Sequence, residues 1–472
     1  MKDLIKIAWR NLWRNKRRTL ITSASIFFAV FFAIFMRSFQ LGTYSYMIKQ
    51  SIESYTGYLQ VQNPDYFDDP SIDNVFQLTD ELETKIKNHE NVKSIAPRIE
   101  SFTLASTGSL SKGVLISGID PEAEKEVSNP YHRLVRYKFT DEAIQKMKDS
   151  GKLPDNLMAK IETLKQQSFS SEAKIELDLD LSSSLSEKYL PVITRYSAFK
   201  TDYLEKNDRG VLISDRLSKY LKTGVGDTII LLGLGYHGSS AAGLYPVRGI
   251  IQMASPDLDN KLIYMTTSEA SKFLGLDNQV TSLVINLNDN DRMIETQTEL
   301  TKMIGNKDSY VVKNWEEIIP TLKQQIEGDS IGGQVFLFIL YVIVFFGIFG
   351  TVLMMIAERK REFGVMVAIG MKRKKLSQIV SFEMFFIGIL GTISGMLIIS
   401  PLLLYGHYNP LRLGGDMARM YEDMGFDALM PMALFDSYFF MQGLVILIMI
   451  LLACLVPLRS INKLNVIKAL RG

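Results

Sequence analysis

Apolar residues along this chain are gathered into four long runs, Thr19–Met36, Gln334–Ile356, Ile379–Leu404 and Tyr438–Leu458, and a long stretch of mixed polarity separates the first from the second. At about 1.5 Å of rise per helical residue, the second run crosses a hydrocarbon layer of about 30 Å unaided, whereas the first sits at the short limit and needs its flanks. The second and fourth are too continuously apolar to be soluble core helices. The first could be the hydrophobic part of a signal peptide, but Phe39-Gln40-Leu41 follows it without a small-residue cleavage site, so it is read as an uncleaved anchor.

Between the first two spans, residues 37–333 mix two periodicities. Short runs rich in Val, Ile and Tyr and bounded by Gly, Asp or Asn predict strands at Gly57–Gln62, Gly113–Ser117, Thr228–Leu232, Tyr245–Ile251, Leu262–Met265 and Ser282–Leu287. Helical spacing recurs at Thr79–Lys87, Asp215–Tyr220 and Ser268–Leu274, the last with Ser268 as its expected cap. The fold class is therefore a membrane protein with four transmembrane helices and a large α+β domain inserted between spans 1 and 2. From about 125 to 200 the sequence turns lysine- and serine-rich around Leu181–Leu185, which reads either as an inserted helical arm or as a partly disordered linker.

Charge then fixes the orientation. Residues 1–18 carry seven cations against Asp3, residues 358–375 carry seven against Glu358 and Glu362, and Arg459, Lys463, Lys468 and Arg471 mark the tail. Cations that flank spans stay inside, so both termini and the 357–378 loop are cytoplasmic. Residues 37–333, with 33 cations and 42 acids, lie outside, as does the acidic 405–437 loop with Asp416, Glu422, Asp423, Asp427 and Asp436 against Arg412 and Arg419. Basic patches that flank apolar runs beside an acidic domain exclude a nucleic-acid reading. The single cysteine, Cys454, lies in the fourth run, so no intrachain disulfide forms.

Candidate chemistry is sparse. His89, His132, His237 and His407 have no metal-ligand spacing with one another or with Cys454. Gly233, Gly235, Gly238 and Gly243 begin like a phosphate loop but lack the Gly-Lys-Ser/Thr ending, and read as a hairpin or rim loop. Ser214 and Asp215 are merely adjacent. No Walker motif occurs, so the chain by itself is not expected to be an enzyme.

Ahead of the first span, Leu4, Ile5, Ala8, Trp9, Leu12 and Trp13 recur at helical spacing while Lys6, Arg10, Arg14 and Arg17 take other faces. Residues 1–18 thus read as an interfacial amphipathic helix with Trp9 and Trp13 at headgroup level and Arg10 and Arg14 facing anionic lipid or a partner; the alternative is a simple topogenic charge cluster. The 357–378 loop contains a short stretch bounded by Gly364 and Gly370, with Phe363, Met366, Val367 and Ile369 as its apolar face. Glu358 and Glu362 share one helical face and can meet a partner's cations, as Arg359 and Arg361 can meet its acids. Such an element rests on the membrane or in a protein groove, unless it is an ordinary stop-transfer loop.

Arg359, Glu362, Gly364, Ala368, Ile369 and Gly370, then Lys372–Lys375, then Glu383, Gly388, Gly391 and Gly395, together resemble the FtsX-like or MacB-type ABC transporter permeases. The resemblance extends to Asn91–Ile95 with Pro97, Gly118–Pro121, Val211–Leu232 with Gly226-Asp227-Thr228, and the tail Pro457, Arg459 and Ala469–Arg471, where Asn465 replaces the family's usual proline. It implies a type VII-like permease of the bacterial inner membrane in which the loop, through Arg359, Glu362, Phe363, Gly364, Met366, Ala368, Ile369 and Gly370, couples to a cytoplasmic ABC ATPase dimer. ATP and magnesium would sit on that partner, with no cofactor on this chain. Further implied partners are a second copy or paralogous permease, a periplasmic carrier or adaptor, and a lipoprotein or other amphipathic cargo. Lipoprotein release, as in LolC/LolE-like subunits, is the leading expectation; MacB-like efflux of peptides or drugs and FtsX-like control of cell-wall hydrolases are the alternatives. Gly388, Gly391 and Gly395 are expected to let another helix approach span 3. Glu383, the lone carboxylate inside the spans, is expected to cap or to pair with Lys374, Lys375 or a cation of the N-terminal helix, or to act in coupling.

Overall fold

The computed structural model describes residues 2–14, 16–304, 309–414, 417, 420–421 and 429–462. The loop charges Asp416, Arg419, Glu422, Asp423 and Asp427 and the tail from Lys463 onward lie outside the described residues. The chain divides into a membrane unit (1–47, 323–413 and 429–472) and a soluble unit (48–322 with 414–428).

Among the described residues, four helices are long and apolar enough to cross a membrane, and the α+β domain is inserted between the first two. Each runs past its apolar run: Lys16–Ser51, Pro320–Glu358, Arg373–Tyr408 and Ser437–Asn462. A preceding helix, Lys2–Arg14, buries Ala8 and Leu12 and leaves Trp9 and Trp13 half exposed. Small residues set the packing of the third span. A Cβ on Gly391 would lie 2.7 Å from Ile26 Cβ, and one on Gly395 3.0 Å from Val30 Cβ, both on the first span. Gly388 faces the fourth span instead, where its Cβ would approach Ile450. One glycine row therefore serves two neighbouring helices.

On the side opposite the cytoplasmic loop, polar groups join the first two spans. Gln40 donates to Asp329 O at 3.1 Å, Tyr44 hydrogen-bonds the Asp329 carboxylate, and a Cβ on Gly333 would collide with Gln40. The segment 430–433 is tied to the first span by Ser38 Oγ to Ala433 O (2.7 Å) and Ala433 N to Ser38 O (3.0 Å).

In the soluble unit, nine strands form one sheet that closes on itself. The 15-residue strand Val92–Ser106 pairs along one edge with Ser111–Ile119. That strand runs parallel to Leu262–Thr266, which is followed by Val211–Ser214, Ser240–Ile251 and Thr228–Leu234. The last returns to Leu104–Ser106, so six strands make a closed barrel. The early part of Val92–Ser106 instead pairs with Ser282–Leu287, then Leu59–Gln62 and Val311–Asn314, giving an open extension. One long strand thus belongs to both halves.

Several helices of this unit begin where side chains satisfy free N–H groups. Thr79 caps Asp80–Lys87 by accepting from Leu82 N, and Asp120 caps Pro121–Val127 by accepting from Glu122 N and Ala123 N. The expected Ser268 cap is corrected. The helix is Thr267–Leu274, and its cap is Thr266, the last residue of the preceding strand, whose hydroxyl accepts from Glu269 N. Ser268 already lies inside the first turn.

The segment from 137 to 198 is not a disordered linker. Helices Asp141–Asp149, Asp155–Thr163, Glu172–Leu179 and Ser183–Ser197 enclose a core of their own built on Phe139, Met147, Ile161, Phe169, Ile175 and Ile193. Polar composition hid this core because its apolar residues are spaced singly along short amphipathic helices. The chain enters and leaves at one place: Arg136 O accepts from Phe199 N at 2.7 Å, and Tyr137 bridges Ala198.

Candidate functional site

The loop between the second and third spans folds as a separate short helix, Lys360–Ala368. The second span stops at Glu358, and Arg359 leaves helical geometry (φ −94°, ψ 7°), which turns the chain before the new helix starts. Gly370, at φ +102°, ends the element in a conformation that costs a side-chain-bearing residue about 1 kcal/mol or more.

Helical phase divides the predicted residues. Arg359, Phe363 and Gly364 are buried, and Phe363 joins the membrane unit's core with Met366 and Val367 packed against it. Arg361, Val365, Ala368, Ile369 and Gly370 face outward, with Ile369 at 79% exposure. The apolar face expected from sequence is therefore split: Phe363, Met366 and Val367 hold the helix down, while Ile369 stands free with Val365. Val365 was not singled out from sequence, although it lies four residues from both Arg361 and Ile369 on one face.

Beneath the short helix runs a chain of alternating charges. Arg14 donates to Glu362 Oε2 at 2.6 Å, and Arg359 Nε donates to the same oxygen at 3.2 Å. Arg359 Nη1 donates to Glu383 Oε2 at 2.6 Å, and Asn11 Nδ2 donates to Glu383 Oε1 at 2.6 Å. The Arg359 guanidinium also lies over the Phe363 ring at 5.1 Å. Three elements, the N-terminal helix, the short helix and the third span, thus share one network. Burial pushes the Glu362 carboxyl up, but hydrogen bonds and charge from Arg359 and Arg14 outweigh it and hold it below the usual carboxylate range.

One expectation is corrected by this geometry. Glu383 pairs with Arg359 rather than with Lys374, Lys375 or a cation of the N-terminal helix, because the kink at Arg359 aims its fork inward at the third span. Glu362, half exposed, is paired within the chain with Arg14 and Arg359. Asn11 was missed, although a polar residue between Ala8 and Leu12 on an apolar stripe was a readable signal. Trp9 packs edge-on against Phe386 at 5.4 Å, which fixes the N-terminal helix on the third span, while Arg10 is exposed.

A second network lies in the soluble unit, where the residues after the first long helix enter its core. Ile52–Thr56 continue as one π-helical turn and end at Gly57, whose added Cβ would lie 2.4 Å from Val284. Arg98 is wholly buried. Its Nη1 donates to Tyr55 O at 2.6 Å, its Nε and Nη2 grip Glu124 at 3.1 and 2.5 Å, and its guanidinium stacks on the Tyr55 ring at 4.6 Å. Tyr55 in turn donates to Glu100, whose carboxyl is pushed up by burial despite the Arg98 charge. Nothing in the residue spacing announced this socket. Among the described residues no group of three or more His, Cys, Asp or Glu side chains is placed to hold a metal.

In comparison with known proteins, residues 334–466 match the model of the FtsX-like permease C-terminal family. No curated protein matches the chain. Among solved structures, the periplasmic region of MacB from Actinobacillus actinomycetemcomitans is similar over 58% of this chain and 94% of that one, at 12% identity and a TM-score of 0.32. The extracellular domain of the noncanonic ABC-type transporter YknZ from Gram-positive bacteria is similar over 55% of this chain and all of that one, at 14% identity and a TM-score of 0.28.

Proposed function

We propose, from a membrane region that matches the FtsX-like permease C-terminal model, that this chain is the membrane subunit of an ABC transporter and transmits ATP-driven motion to its periplasmic domain. A separate cytoplasmic ATPase dimer docks on the exposed face of Lys360–Ala368, chiefly at Val365, Ala368, Ile369 and Gly370, with Arg361 and the cluster Lys372–Lys375 meeting its acidic groups. The observation that carries the proposal is the short helix itself: it is too small to be a domain, its buried side is locked to two other elements, and its outer side bears uncovered apolar residues. Arg359 and Glu362 shape and hold this element rather than contact the partner first.

Motion of the short helix passes to the N-terminal helix through Arg14 and to the third span through Glu383. The second span runs unbroken from Pro320 to Glu358 and carries the motion outward. The cargo is amphipathic: a lipoprotein lifted from the inner membrane, or a peptide or drug passed on with a periplasmic adaptor.

The test is co-purification of the full chain with its ATPase in mild detergent. Ile369→Asp is expected to abolish the complex, and Gly370→Val to weaken it strongly, while the exposed Trp13→Ala leaves it intact. An intact, active complex carrying Ile369→Asp would overturn the docking face. Recovery of an acylated polypeptide with the wild-type complex selects lipoprotein release, and recovery of an adaptor selects efflux.

A further inference from the structure

Two aspartates of the soluble unit are buried where the barrel meets the four-helix insertion. Asp215 opens the helix Asp215–Leu221, which follows the strand Val211–Ser214. Asp259 lies near the end of a strap, residues 252–260, that carries the chain from the strand Ser240–Ile251 to the strand Leu262–Thr266. Their side chains are 4% and 5% exposed.

The two carboxylates are compensated unequally. Asp215 accepts from Lys219 Nζ at 2.6 Å and from Ser168 Oγ, on the insertion, at 2.8 Å. Asp259 accepts from two backbone groups, Met253 N at 2.8 Å and Arg216 N at 3.1 Å, while the Arg216 guanidinium stays 3.9 Å away and half exposed. The other charged groups around them are Lys138 and Lys174 on the insertion, and Asp257, which pairs with Lys261 at 2.7 Å. A buried carboxylate held by neutral donors beside a second negative charge is costly to ionise. Burial, with the Asp215 charge added, outweighs the two N–H groups and pushes the Asp259 carboxyl up to about 6.

The strap is also a mount. Gln252 N donates to Arg133 O at 2.9 Å, just ahead of the insertion, and the Gln252 side chain accepts from Lys174 Nζ at 3.4 Å within it. Asp259 pins Met253 on the strap and the first turn of the helix whose Asp215 holds Ser168. Opening the strap returns Asp259 to water, where it ionises at its ordinary value. Closing it encloses the carboxyl and favours the proton, so falling pH drives the strap shut. We propose that residues 252–260 form an acid-tightened strap: neutral surroundings let it open and slacken the insertion's mount, and mild acid outside the cytoplasm closes it. The proposal rests on the outward placement of this domain and needs neither an ATPase nor a cargo.

The experiment is hydrogen exchange of the full-length chain in mild detergent at pH 5, 6 and 7, read as protection after correction for the intrinsic pH dependence of exchange. Protection of peptides covering residues 252–260 should rise about ten-fold from pH 7 to pH 5, as follows from an open-state carboxyl at its ordinary value and a closed-state one near 6. The amides of Arg136 and Phe139, bonded to Phe169 O and Gln167 O at the insertion's mount, should gain protection in step. Helices Asp141–Asp149 and Thr267–Leu274 serve as controls and should hardly change. Asp259→Asn should abolish the pH dependence, and Asp215→Asn, by removing the neighbouring charge, should move its midpoint to lower pH and shrink the rise. Strap protection that is flat or falls towards pH 5, a rise that survives Asp259→Asn, a mount that does not follow the strap, or an equal rise in the control helices would each overturn the proposal. The wild-type profile needs no variant and decides even where Asp259→Asn does not fold.

Discussion

The membrane unit and the soluble unit each bury an arginine–glutamate pair beside an aromatic ring, and the two are wired differently. Arg98 spends its whole fork on groups that are themselves enclosed: both oxygens of Glu124 and the carbonyl of Tyr55, with both charged side chains fully buried. Arg359 divides its fork between buried Glu383 and half-exposed Glu362, and Glu362 passes the connection on to exposed Arg14. A network closed on itself has no low-energy rearrangement, because any broken contact leaves a desolvated charge. A network that reaches the surface can exchange partners, since water or another protein replaces what is lost. The first suits an anchor and the second suits a coupling.

That contrast is sharpened most by removing each arginine's main partner group. Arg98→Met strands Glu124 in the core and should destabilise the soluble unit by about 3–5 kcal/mol, read by denaturant unfolding of the purified chain. The double change Arg98→Met with Glu124→Leu should recover most of the loss; failure to recover would mean that the Tyr55 carbonyl contact, not the charge pair, dominates. Glu383→Gln keeps the Asn11 contact and leaves Arg359 its Glu362 partner, so a smaller loss of about 1–3 kcal/mol is expected, seen as faster hydrogen exchange in the N-terminal helix. A loss as large as that of Arg98→Met would erase the distinction drawn here.

The two sites should also respond to pH in opposite senses. Glu362 is held below its ordinary range, so its contribution is present above the unfolded-state value and fades as pH falls through the lowered folded-state value. Glu100 is pushed above that range by burial, so the folded state binds its proton more tightly, and stability there declines as pH rises from the ordinary carboxylate value towards the raised one. Hydrogen exchange followed from about pH 2.5 to 7 reads both, Lys360–Ala368 changing below the ordinary carboxylate value and Ile52–Thr56 above it, and Glu100→Gln should flatten the response at Ile52–Thr56 alone. The smallest effect belongs to Arg14→Ala. An exposed pair contributes within about 0.5 kcal/mol, so folding should hardly change; the same substitution should be felt instead in ATPase coupling, through the looser short helix.

Sequence reading reached the parts of this architecture that depend on composition over a window. Continuous apolar runs and their flanking cations are spans with an orientation, and the strand at Ser282–Leu287 was legible from its Val and Ile content. Val92–Ser106 was not, although it is the longest strand. Pro97 and Glu100 interrupt it, and proline is ordinarily excluded from a central strand. Here Pro97 falls just before Arg98, where pairing with Ser111–Ile119 begins, so only Ser282–Leu287 flanks it. At the site, the glycines and the short helix were legible, but the partners of Glu383 and Glu362 were not. Partner choice depends on the turn at Arg359, a backbone event with no residue signature, and on which of several nearby cations it aims inward.

The four-helix insertion leaves the barrel domain and rejoins it at nearly one point, since Arg136 and Phe199 are hydrogen-bonded neighbours. With its own core and adjoining ends, it behaves as a cartridge, held besides by Ser168 Oγ donating to buried Asp215 at 2.8 Å and Lys174 Nζ donating to Gln252 at 3.4 Å. Cutting out residues 138–197 and closing the gap with a two-residue bridge should leave the host fold standing, because Asp215 keeps its Lys219 partner, at the cost of the Ser168 contact. A foreign module with closely spaced termini fits the same slot best if it brings a hydroxyl or amide donor back to Asp215.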